Sequence, residues 1–403
     1  MEHQQQTQDS AFRHVGVGAG TLRNALSSHS SMSRIAVVYR VSVRPADVAA
    51  VAEGIALEQS VELPASAVHD AEIKVNIAGR VAEIRQCGEE LFDVDIELAT
   101  ATMGHDIAQA INMLFGNSSL HAHVELVDVR FPEDFLATLP GPRFGAQGFR
   151  DVVGVHDRPL TCAALKPQGM SVEGLAQLCE TLARAGIDVI KDDHGLADQA
   201  YSPFMPRVQA CQHAVDRAFA DTGHRAIYAP SAVGTPRRAA EQVRIARDAG
   251  ARALLLAPSL LGLPAFAELV HDAVEVPVIA HPSFGGATRI AHPLLIGTLY
   301  RALGADAVIF PHASGRFAPP ASQCRELAAR VRAPLGRLLS ALPVPAGGLQ
   351  LDALREVIAF YGSDVMLLVG GALLADPACV SERAARFVTA VREALLASDE
   401  ARV

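Results

Sequence analysis

Short apolar segments alternate with Ala-, Leu- and Arg-rich segments of helical length from about residue 155 onwards, and this alternation constrains the fold most. Each apolar segment has the composition of a buried strand, and helical segments follow, such as Val172–Ala185, Pro236–Ala249 and Leu351–Phe360. The eight predicted strands are Leu160–Leu165, Ile187–Ile190, Ala226–Tyr228, Leu254–Ala257, Val278–Ala280, Ala307–Phe310, Pro343–Pro345 and Val365–Val369. Eight β-α units over roughly 240 residues predict a (β/α)8 TIM barrel. A doubly wound parallel sheet is the alternative.

The pattern before the barrel is different and predicts a small α+β domain of the ferredoxin-like type over residues 34–140. The predicted elements are a strand at Ile35–Val41, a helix at Pro45–Leu57, a hairpin of Ala71–Ile84 with Leu91–Leu98, a helix at Ile107–Leu114 and a strand at His121–Val129. The segment Leu139–Pro142 is rich in proline and glycine and predicts a linker. The barrel domain is then expected over residues 150–395.

The remaining composition limits the classes of protein. Residues 1–33 are polar and lack the apolar stretch of a signal peptide, so they predict a disordered tail. No apolar run approaches the roughly 20 residues that span a bilayer. The net charge is −9 and the basic residues are dispersed, which argues against nucleic-acid binding. The six cysteines form no CxxC pair, as expected for reduced thiols, and we expect a cytoplasmic protein.

Polar residues follow the predicted barrel strands where an active site is expected, because the carboxyl ends of all barrel strands face one rim. Two lysines, two carboxylates and three histidines are expected there. They are Lys166 after the first strand, Lys191, Asp192, Asp193 and His194 after the second, His281 after the fifth and His312 after the sixth. Gly347–Gly348 and Gly370–Gly371 follow the seventh and eighth strands, where backbone amides can hold a phosphate.

The run from Lys191 to His194 carries the strongest chemical signal. Charges that leave a buried strand are costly unless they meet a partner, a metal or a substrate. Asp and His are suitable ligands for a divalent cation. A salt bridge between Lys191 and Asp192 or Asp193 at a solvated strand end is the structural alternative.

Several of these motifs resemble the large subunit of RuBisCO and, more closely, the RuBisCO-like proteins. The matching segments are Lys166-Pro167, Ile190-Lys191-Asp192-Asp193, Pro345-Ala346-Gly347-Gly348 and Val369-Gly370-Gly371, together with Leu57-Glu58-Gln59-Ser60, Phe115-Gly116-Asn117 and Gly154-Val155-His156-Asp157-Arg158-Pro159. The order of a small α+β domain, a linker and a barrel is also similar. The resemblance extends from about residue 34 to residue 390.

The resemblance implies a role for each matching residue. Lys191 would form a carbamate with carbon dioxide and bind Mg²⁺ through it, and Asp193 would be a second ligand. Lys166 would transfer protons and His281 would contact the substrate. A substrate phosphate would be held by Gly347, Gly348, Gly370 and Gly371. His194, which aligns with a ligand position of the family, is a further candidate for the metal, and Arg316, after the sixth strand, is a further candidate for the substrate. Glu58 and Asn117 would reach into the site of a neighbouring subunit, which implies a homodimer.

Departures from the family pattern argue against carbon dioxide fixation. His194, Gln168 and Pro282 stand where the carboxylases have a glutamate, a lysine and an arginine. The sixth loop reads His312-Ala313-Ser314-Gly315-Arg316-Phe317 and lacks the Gly-Thr-Val-Val-Gly-Lys-like run of the carboxylases. Addition of carbon dioxide to an enediolate would therefore lack its usual stabilising lysine.

The retained residues suit chemistry that passes through an enolate. A neutral His194 in place of a carboxylate would make the metal a stronger electron sink, although His194 could also lie outside the metal shell. Among the activities that the resemblance to RuBisCO-like proteins implies, the run from Lys191 to His194 favours C–C cleavage, by decarboxylation or by transcarboxylation and hydrolysis, of a phosphorylated 3-oxo sugar acid such as 3-oxo-isoapionate 4-phosphate. The alternative is an enolase or isomerase of a methylthio-ketose phosphate in methionine salvage. A non-catalytic protein that keeps the fold for binding is the third possibility.

Overall fold

The computed structural model describes residues 33–400, and it describes side chains from residue 33 to residue 394. The predicted tail over residues 1–33 lies outside this range except for Ser33. Two sheets organise the described residues, one of four strands and one of eight. No helix between residues 33 and 400 is long and apolar enough to cross a membrane.

The first sheet belongs to a ferredoxin-like domain, as predicted. Its elements are β1 (Arg34–Ser42), α1 (Val48–Glu58), α2 (Ala71–Asn76), β2 (Arg80–Gln86), β3 (Leu91–Ala99), α3 (Ile107–Phe115) and β4 (Val124–Arg130). The strands pair antiparallel in the order β2-β3-β1-β4. Alternate residues of β1, including Ile35, Val37 and Tyr39, are fully buried, because one face of the sheet carries the helices. The Tyr39 hydroxyl donates to the Leu114 carbonyl of α3.

The predicted first arm of the hairpin is only partly correct. Residues Ala71–Asn76 form helix α2, and only Arg80–Gln86 pairs with β3. The Asp70 carboxylate caps the helix by accepting the backbone N–H groups of Glu72 and Ile73, at 2.7 and 3.2 Å. This local cap stabilises a helix over a segment whose apolar residues alternate as in a strand.

The second sheet is the predicted parallel barrel. Its strands are β5 (Leu160–Leu165), β6 (Val189–Asp192), β7 (Ile227–Ala229), β8 (Leu254–Leu256), β9 (Val278–Ala280), β10 (Ala307–Pro311), β11 (Leu342–Ala346) and β12 (Met366–Val369). They follow the order β7-β6-β5-β12-β11-β10-β9-β8. Leu255 closes the gap between β7 and β8, because its N–H donates to Pro230 and its carbonyl accepts from Ala232, at 2.9 and 3.1 Å. A doubly wound sheet, the alternative prediction, has no such closure.

Helices surround the barrel and follow the alternation seen in the sequence. They are α4 (Glu133–Leu136), α5 (Gly145–Val153), α6 (Val172–Arg184), α7 (Phe204–Thr222), α8 (Pro236–Asp248), α9 (Pro258–Leu261), α10 (Leu263–Ala273), a π-helix (Pro293–Leu299) continued by α11 (Tyr300–Ala302), α12 (Ala321–Arg332), α13 (Leu354–Tyr361), α14 (Gly371–Leu374) and α15 (Val380–Glu400).

The interior of the barrel is filled by inward-facing side chains. Leu160, Cys162 and Ala164 of β5 belong to a buried cluster that includes Phe149 of α5. Strand alternation places Lys191 on the inward face of β6, in register with Ala164 and Ala229 on the neighbouring strands. Because both neighbours are alanines, the lysine side chain has room inside the barrel.

The two domains are in direct contact. The β4 residue Leu126 exchanges backbone hydrogen bonds with the segment after β9, donating to Arg289 and accepting from Ala291, both at 2.9 Å. An ion pair of 2.7 Å joins Asp128 to Arg330 of α12. The predicted linker Leu139–Pro142 lies against the barrel, where the Gly141 N–H donates to the Ala302 carbonyl at 3.0 Å. The domain limits themselves remain a prediction.

Candidate functional site

A cavity of about 430 Å³ opens at the carboxyl ends of the barrel strands. Most of the predicted site residues line it, although they are distant in sequence. They are Lys166, Lys191, Asp193, His194, His281, Arg316, Gly347, Gly348, Gly370 and Gly371. The barrel therefore brings together the residues that the sequence placed at its strand ends.

Lys191 is buried at the base of this cavity. Its ammonium group donates to the Asp192 carbonyl at 3.0 Å. Burial lowers the pKa of Lys191, although the nearby carboxyl of Asp193 opposes that shift. A lowered pKa increases the fraction of neutral amine, which is the nucleophilic form of a lysine side chain.

Asp193 is held by an ion pair and by a backbone N–H. The Lys166 ammonium lies 2.5 Å from its Oδ2, and the Gly195 N–H donates to its Oδ1 at 3.1 Å. Burial alone would raise the pKa of Asp193, but these partners outweigh it and lower the pKa to about 2. Asp193 is therefore a carboxylate at neutral pH.

His194 and His281 meet across the mouth of the barrel. Their rings stack with centroids 4.2 Å apart and planes 10° apart. The His194 Nδ1 lies 3.6 Å from the Asp193 carboxylate. Burial lowers the pKa of both imidazoles, that of His281 to about 2, so we take both rings as neutral.

The tautomer of His281 follows from its contacts. Its Nδ1 lies 3.1 Å from the backbone N–H of Ser283 and 2.7 Å from the Ser283 hydroxyl. A backbone N–H can only donate, so Nδ1 must accept and the ring proton must be on Nε2. His281 is therefore a neutral hydrogen-bond donor through Nε2.

Two residues that the sequence placed at the site face away from it. Asp192 is completely buried behind β6, where Arg207, Tyr228 and the Ser231 N–H satisfy its oxygens at 3.2, 2.7 and 3.1 Å. The expectation that Asp192 belongs to the rim is therefore wrong, because strand alternation turns it outward.

His312 is also outside the cavity. Its Nδ1 lies 2.8 Å from the hydroxyl of Tyr361 on α13, so it packs behind the sixth loop. Two of the three predicted histidines remain at the site.

The two glycine pairs differ in what surrounds them. A Cβ on Gly348 would overlap the Ser314 carbonyl, and Gly347 and Gly348 have φ of +85° and +72°. Glycine at these positions is explained by the close approach of the sixth loop and by the left-handed backbone. Around Gly370 and Gly371 nothing lies within 4 Å of such a Cβ. This second pair therefore has open space beside its backbone.

The sixth loop contributes a tight turn to the cavity wall. The Ala318 N–H donates to the Gly315 carbonyl at 3.1 Å, which places Arg316 and Phe317 at the centre of the turn. The Ser314 hydroxyl donates to the Gly348 carbonyl at 3.0 Å, which joins this loop to the seventh loop, the segment that follows β11. Among the side chains of residues 33–394, Arg316 has no carboxylate within 4.0 Å.

Glu58 and Asn117 lie together on the first domain and do not line the cavity of their own chain. The Asn117 amide donates to Glu58 and to Glu62, both at 2.8 Å; Asn117 and Glu62 are exposed and Glu58 is half-buried. Their predicted entry into the site of a neighbouring subunit remains a prediction.

The fit of the site to Mg²⁺ depends on Lys191. Among residues 33–394, no group of three His, Cys, Asp or Glu side chains is arranged to hold a metal ion. Asp193 and His194 supply two donors, and apart from the Lys166 ion pair the Asp193 Oδ2 has no hydrogen-bond partner. A carbamate on Lys191 would add the third, oxygen donor that a hard cation prefers. The residues fit Mg²⁺ if Lys191 is carbamylated.

Three further residues at the site were not predicted from the sequence. Gln168 lies 3.4 Å from the Asp193 carboxylate, Ser283 fixes His281, and Phe317 lines the cavity. Each lies within three residues of a predicted site residue at a strand end, and that proximity was the available signal.

Comparison with known proteins agrees with this architecture. Residues 145–282 match the model of the ribulose bisphosphate carboxylase large chain, catalytic domain. The chain is 47% identical to ribulose bisphosphate carboxylase-like protein 1 of Rhodopseudomonas palustris, over 89% of this chain and 97% of that protein. A crystal structure of a RuBisCO-like protein from the same species superposes with a TM-score of 0.82 and 42% identity, covering 89% of this chain and 98% of that one.

Two other relatives have names that specify an activity. A protein of Rhodospirillum rubrum named 5-methylthioribulose-1-phosphate isomerase is 45% identical, over 89% of this chain and 96% of its own length. A protein of Exiguobacterium sibiricum named 2,3-diketo-5-methylthiopentyl-1-phosphate enolase is 31% identical, over 75% of this chain and 77% of its own length. These identities and coverages confirm the resemblance seen in the motifs, and the chain belongs to the family of RuBisCO-like proteins.

Proposed function

We propose that this protein is an isomerase of a methylthio-ketose phosphate, of the 5-methylthioribulose 1-phosphate type. The reaction moves a proton to and from a carbon atom beside a carbonyl group and passes through an enediolate. The arrangement of Lys166, Asp193 and His281 in one cavity carries the proposal. It provides a proton-transfer group, a carboxylate that holds that group, and a neutral donor for an oxygen atom.

Lys166 is the proposed proton-transfer residue. Its ammonium group is 2.5 Å from Asp193, and its side chain is 38% exposed, within reach of a ligand in the cavity. As a neutral amine Lys166 would remove the proton from the carbon atom next to the carbonyl. The hydroxyl proton would then pass between the two adjacent oxygens of the enediolate to the former carbonyl oxygen, and Lys166, as an ammonium, would return its proton to the former carbonyl carbon. Asp193 orients the amine in both steps.

His281 is the proposed donor to the substrate oxygen. Because the Ser283 N–H occupies Nδ1, the Nε2–H group is free to point to a carbonyl oxygen as negative charge develops on it. A neutral imidazole stabilises that charge by a hydrogen bond without giving up its proton.

The substrate phosphate is proposed to bind at Gly370 and Gly371, where the space beside the backbone is open. Among residues 33–394, Arg316 has no carboxylate partner, and it is proposed as a contact for a substrate oxygen away from this phosphate. Phosphate binding at a distance from the reacting carbons would fix the substrate relative to Lys166.

Mg²⁺ is the proposed cofactor, held by carbamylated Lys191, Asp193 and His194. When bound, it would stabilise negative charge on a substrate oxygen. Burial lowers the pKa of Lys191, which favours the neutral amine needed to form the carbamate.

Isomerisation is preferred over the C–C cleavage that the sequence favoured. The relative at 45% identity, which matches 89% of this chain, is named an isomerase, and the relative at 31% identity is named an enolase. Neither name specifies cleavage of a C–C bond. An enolase of a related diketone phosphate is the second candidate, supported by the relative at 31% identity. Both activities use the same proton transfer beside a carbonyl.

A homodimer is part of the proposal. Half-buried Glu58 and exposed Asn117 form a polar pair at the surface of the first domain, where a second copy could contact them. A substrate-binding site made by both copies would require this contact.

The proposal is tested by NMR with the purified protein, MgCl₂ and bicarbonate. The protein receives 5-methylthioribulose 1-phosphate in one sample and 3-oxo-isoapionate 4-phosphate in another. We expect a new ketose phosphate isomer in the first sample and no loss of a carboxyl group in the second. Lys191→Ala and addition of EDTA should each abolish the reaction. Cleavage of the second compound alone would contradict the proposal.

A further inference from the structure

The side chain of Phe317 is an unusual part of the cavity wall. It lines the cavity together with Pro282 and Leu349, yet 83% of its surface is exposed. Ligand cavities are lined mainly by apolar and aromatic side chains that become buried when a ligand binds. An exposed ring in such a wall has surface available for a ligand.

The backbone, and not side-chain packing, holds the ring in place. The turn from Gly315 to Ala318 is closed by one hydrogen bond and attached to the seventh loop by Ser314. Ala318 has a φ of +35°, a conformation that side chains other than glycine rarely adopt, and such strain is concentrated at ligand-binding segments. Pro319 and Pro320 then lead into α12 and restrict the backbone further.

The position of the ring in the barrel separates it from the proposed phosphate site. In the order of the strands, β12, β5 and β6 are consecutive, and they carry Gly370–Gly371, Lys166 and Lys191. Strands β9 and β10 are followed by Pro282 and Phe317; they lie opposite β5 and β6, and β11 separates β10 from β12. A ligand whose phosphate lies at Gly370–Gly371 and whose reacting carbons lie beside Lys166 therefore has its other end available to Phe317.

We infer that Phe317 determines the substrate specificity of this cavity, because its ring contacts the uncharged, apolar end of a ligand whose other end is a phosphate monoester. The inference rests on the proposed function and extends it to the recognition of a thioether or alkyl end. A thioether sulfur interacts favourably with an aromatic ring, and its methyl group is removed from water in the contact.

The expected effect of Phe317→Ala is selective. Losing an apolar contact of this size changes affinity about 10-fold. A ligand ending in a methylthio group should therefore bind about 10-fold more weakly to the variant. A ligand ending in a hydroxyl group should change by about twofold at most, because its end remains solvated. Phe317→Leu keeps an apolar side chain and should retain part of the preference.

The test uses ligands that cannot react. The probes are 5-methylthioribitol 1-phosphate, ribitol 1-phosphate and ribitol 1,5-bisphosphate, in which an alcohol replaces the carbonyl. Calorimetric titration gives their affinities for the wild type, Phe317→Ala and Phe317→Leu, and thermal unfolding checks that each variant is folded. We expect the wild type to prefer the methylthio probe about 10-fold and Phe317→Ala to bind the two monophosphates about equally.

A second measurement uses the absence of tryptophan from the chain. Phe317→Trp introduces a single indole at the cavity mouth, and its emission should shift to shorter wavelength with the methylthio probe. Ribitol 1-phosphate should leave the emission unchanged. Equal shifts with both probes would contradict the inference, because the ring would then report occupancy of the cavity and not contact with the apolar end.

Three other results would overturn the inference. One is an unchanged preference for the methylthio probe in Phe317→Ala. Another is tighter binding of ribitol 1,5-bisphosphate than of the methylthio probe to the wild type. That result would mean that Arg316 binds a second phosphate where we place the apolar end. The third is a change of oligomeric mass in Phe317→Ala, which would mean that a second copy covers the ring. Because the probes do not react, failure of the proposed isomerase reaction would leave the binding preference standing, and the two claims fail separately.

Discussion

The imidazole rings of His194 and His281 lie parallel, 4.2 Å apart, although they follow strands β6 and β9, which are not neighbours in the barrel. Two imidazolium rings in this contact would repel each other, so at least one ring must be neutral. Burial lowers the pKa of both, so each neutral ring has one unprotonated nitrogen. Burial together with the stack therefore favours the neutral form of His194, a candidate metal ligand.

His194→Ala is expected to weaken Mg²⁺ binding at least 10-fold if the ring is a ligand, since loss of groups around a metal typically costs 10- to 100-fold in affinity. Calorimetric titration of the bicarbonate-treated protein with MgCl₂ measures this. His312→Ala is the matched control, because that imidazole lies outside the cavity against Tyr361. Unchanged Mg²⁺ affinity in His194→Ala would remove this residue from the metal site.

His281 is expected to remain a neutral Nε2–H tautomer from pH 6 to pH 9, because its pKa is lowered to about 2 and Ser283 occupies its Nδ1. The ¹⁵N chemical shifts of the ring nitrogens, assigned by comparison with His281→Gln, report the tautomer directly. A proton on Nδ1, or a titration of the ring in this pH range, would be inconsistent with the proposed donor role.

Asp192 and Asp193 are adjacent in sequence and should respond differently to the same substitution. Asp192→Asn disrupts a buried ion pair with Arg207 and is expected to lower the free energy of unfolding by about 3 kcal/mol. Tyr228→Phe, which removes one hydrogen bond to Asp192, should cost about 1 kcal/mol.

Asp193→Asn should instead reduce Mg²⁺ affinity and activity, with a smaller loss of stability. Urea unfolding of the four proteins, including the wild type, measures these free energies. Equal losses of stability for the two Asp→Asn variants would show that the outward position assigned to Asp192 is incorrect.

Alanine substitutions in the two glycine pairs should show which glycines are required by the backbone conformation and which bind the substrate phosphate. Gly348→Ala forces a Cβ against the Ser314 carbonyl at a φ of +72°, and we expect a loss of about 2 kcal/mol or a displaced sixth loop. Gly371→Ala meets no atom within 4 Å and should fold as the wild type does, while it binds phosphorylated ligands more weakly. Thermal unfolding with calorimetric titration of ribitol 1-phosphate distinguishes these outcomes. Unchanged affinity of Gly371→Ala for ribitol 1-phosphate would contradict the assignment of the phosphate site to Gly370 and Gly371.

The barrel could be predicted because its signal is local and repeated. Each strand is a short apolar run followed by a helix, and eight repeats leave few alternatives. Strand alternation also predicts which side chains at the strand ends face the cavity. A period of two along β6 places Lys191 and Asp193 on one face and Asp192 on the other. The same alternation along β10 turns His312 away from the cavity.

Contacts between distant loops could not be predicted in this way. The stacked rings of His194 and His281 belong to residues 87 positions apart in the sequence. The hydrogen bond from Ser314 to Gly348 joins residues 34 positions apart. No periodic pattern encodes which loops meet. Helix α2 was missed for a different reason, because the alternation of Ala71 to Val75 imitates a strand and the Asp70 cap decides the outcome.

Hydrogen exchange at the carbon atom beside the substrate carbonyl tests the central claim most directly. The protein is given 5-methylthioribulose 1-phosphate in D₂O with MgCl₂ and bicarbonate, and NMR follows replacement of that proton by deuterium. We predict exchange with the wild type and a loss of at least about 1000-fold with Lys166→Met, which matches the side chain in length but has no amine. Exchange that persists in Lys166→Met would contradict the assignment of Lys166 as the proton-transfer residue, and no exchange with the wild type would contradict the proposed isomerase.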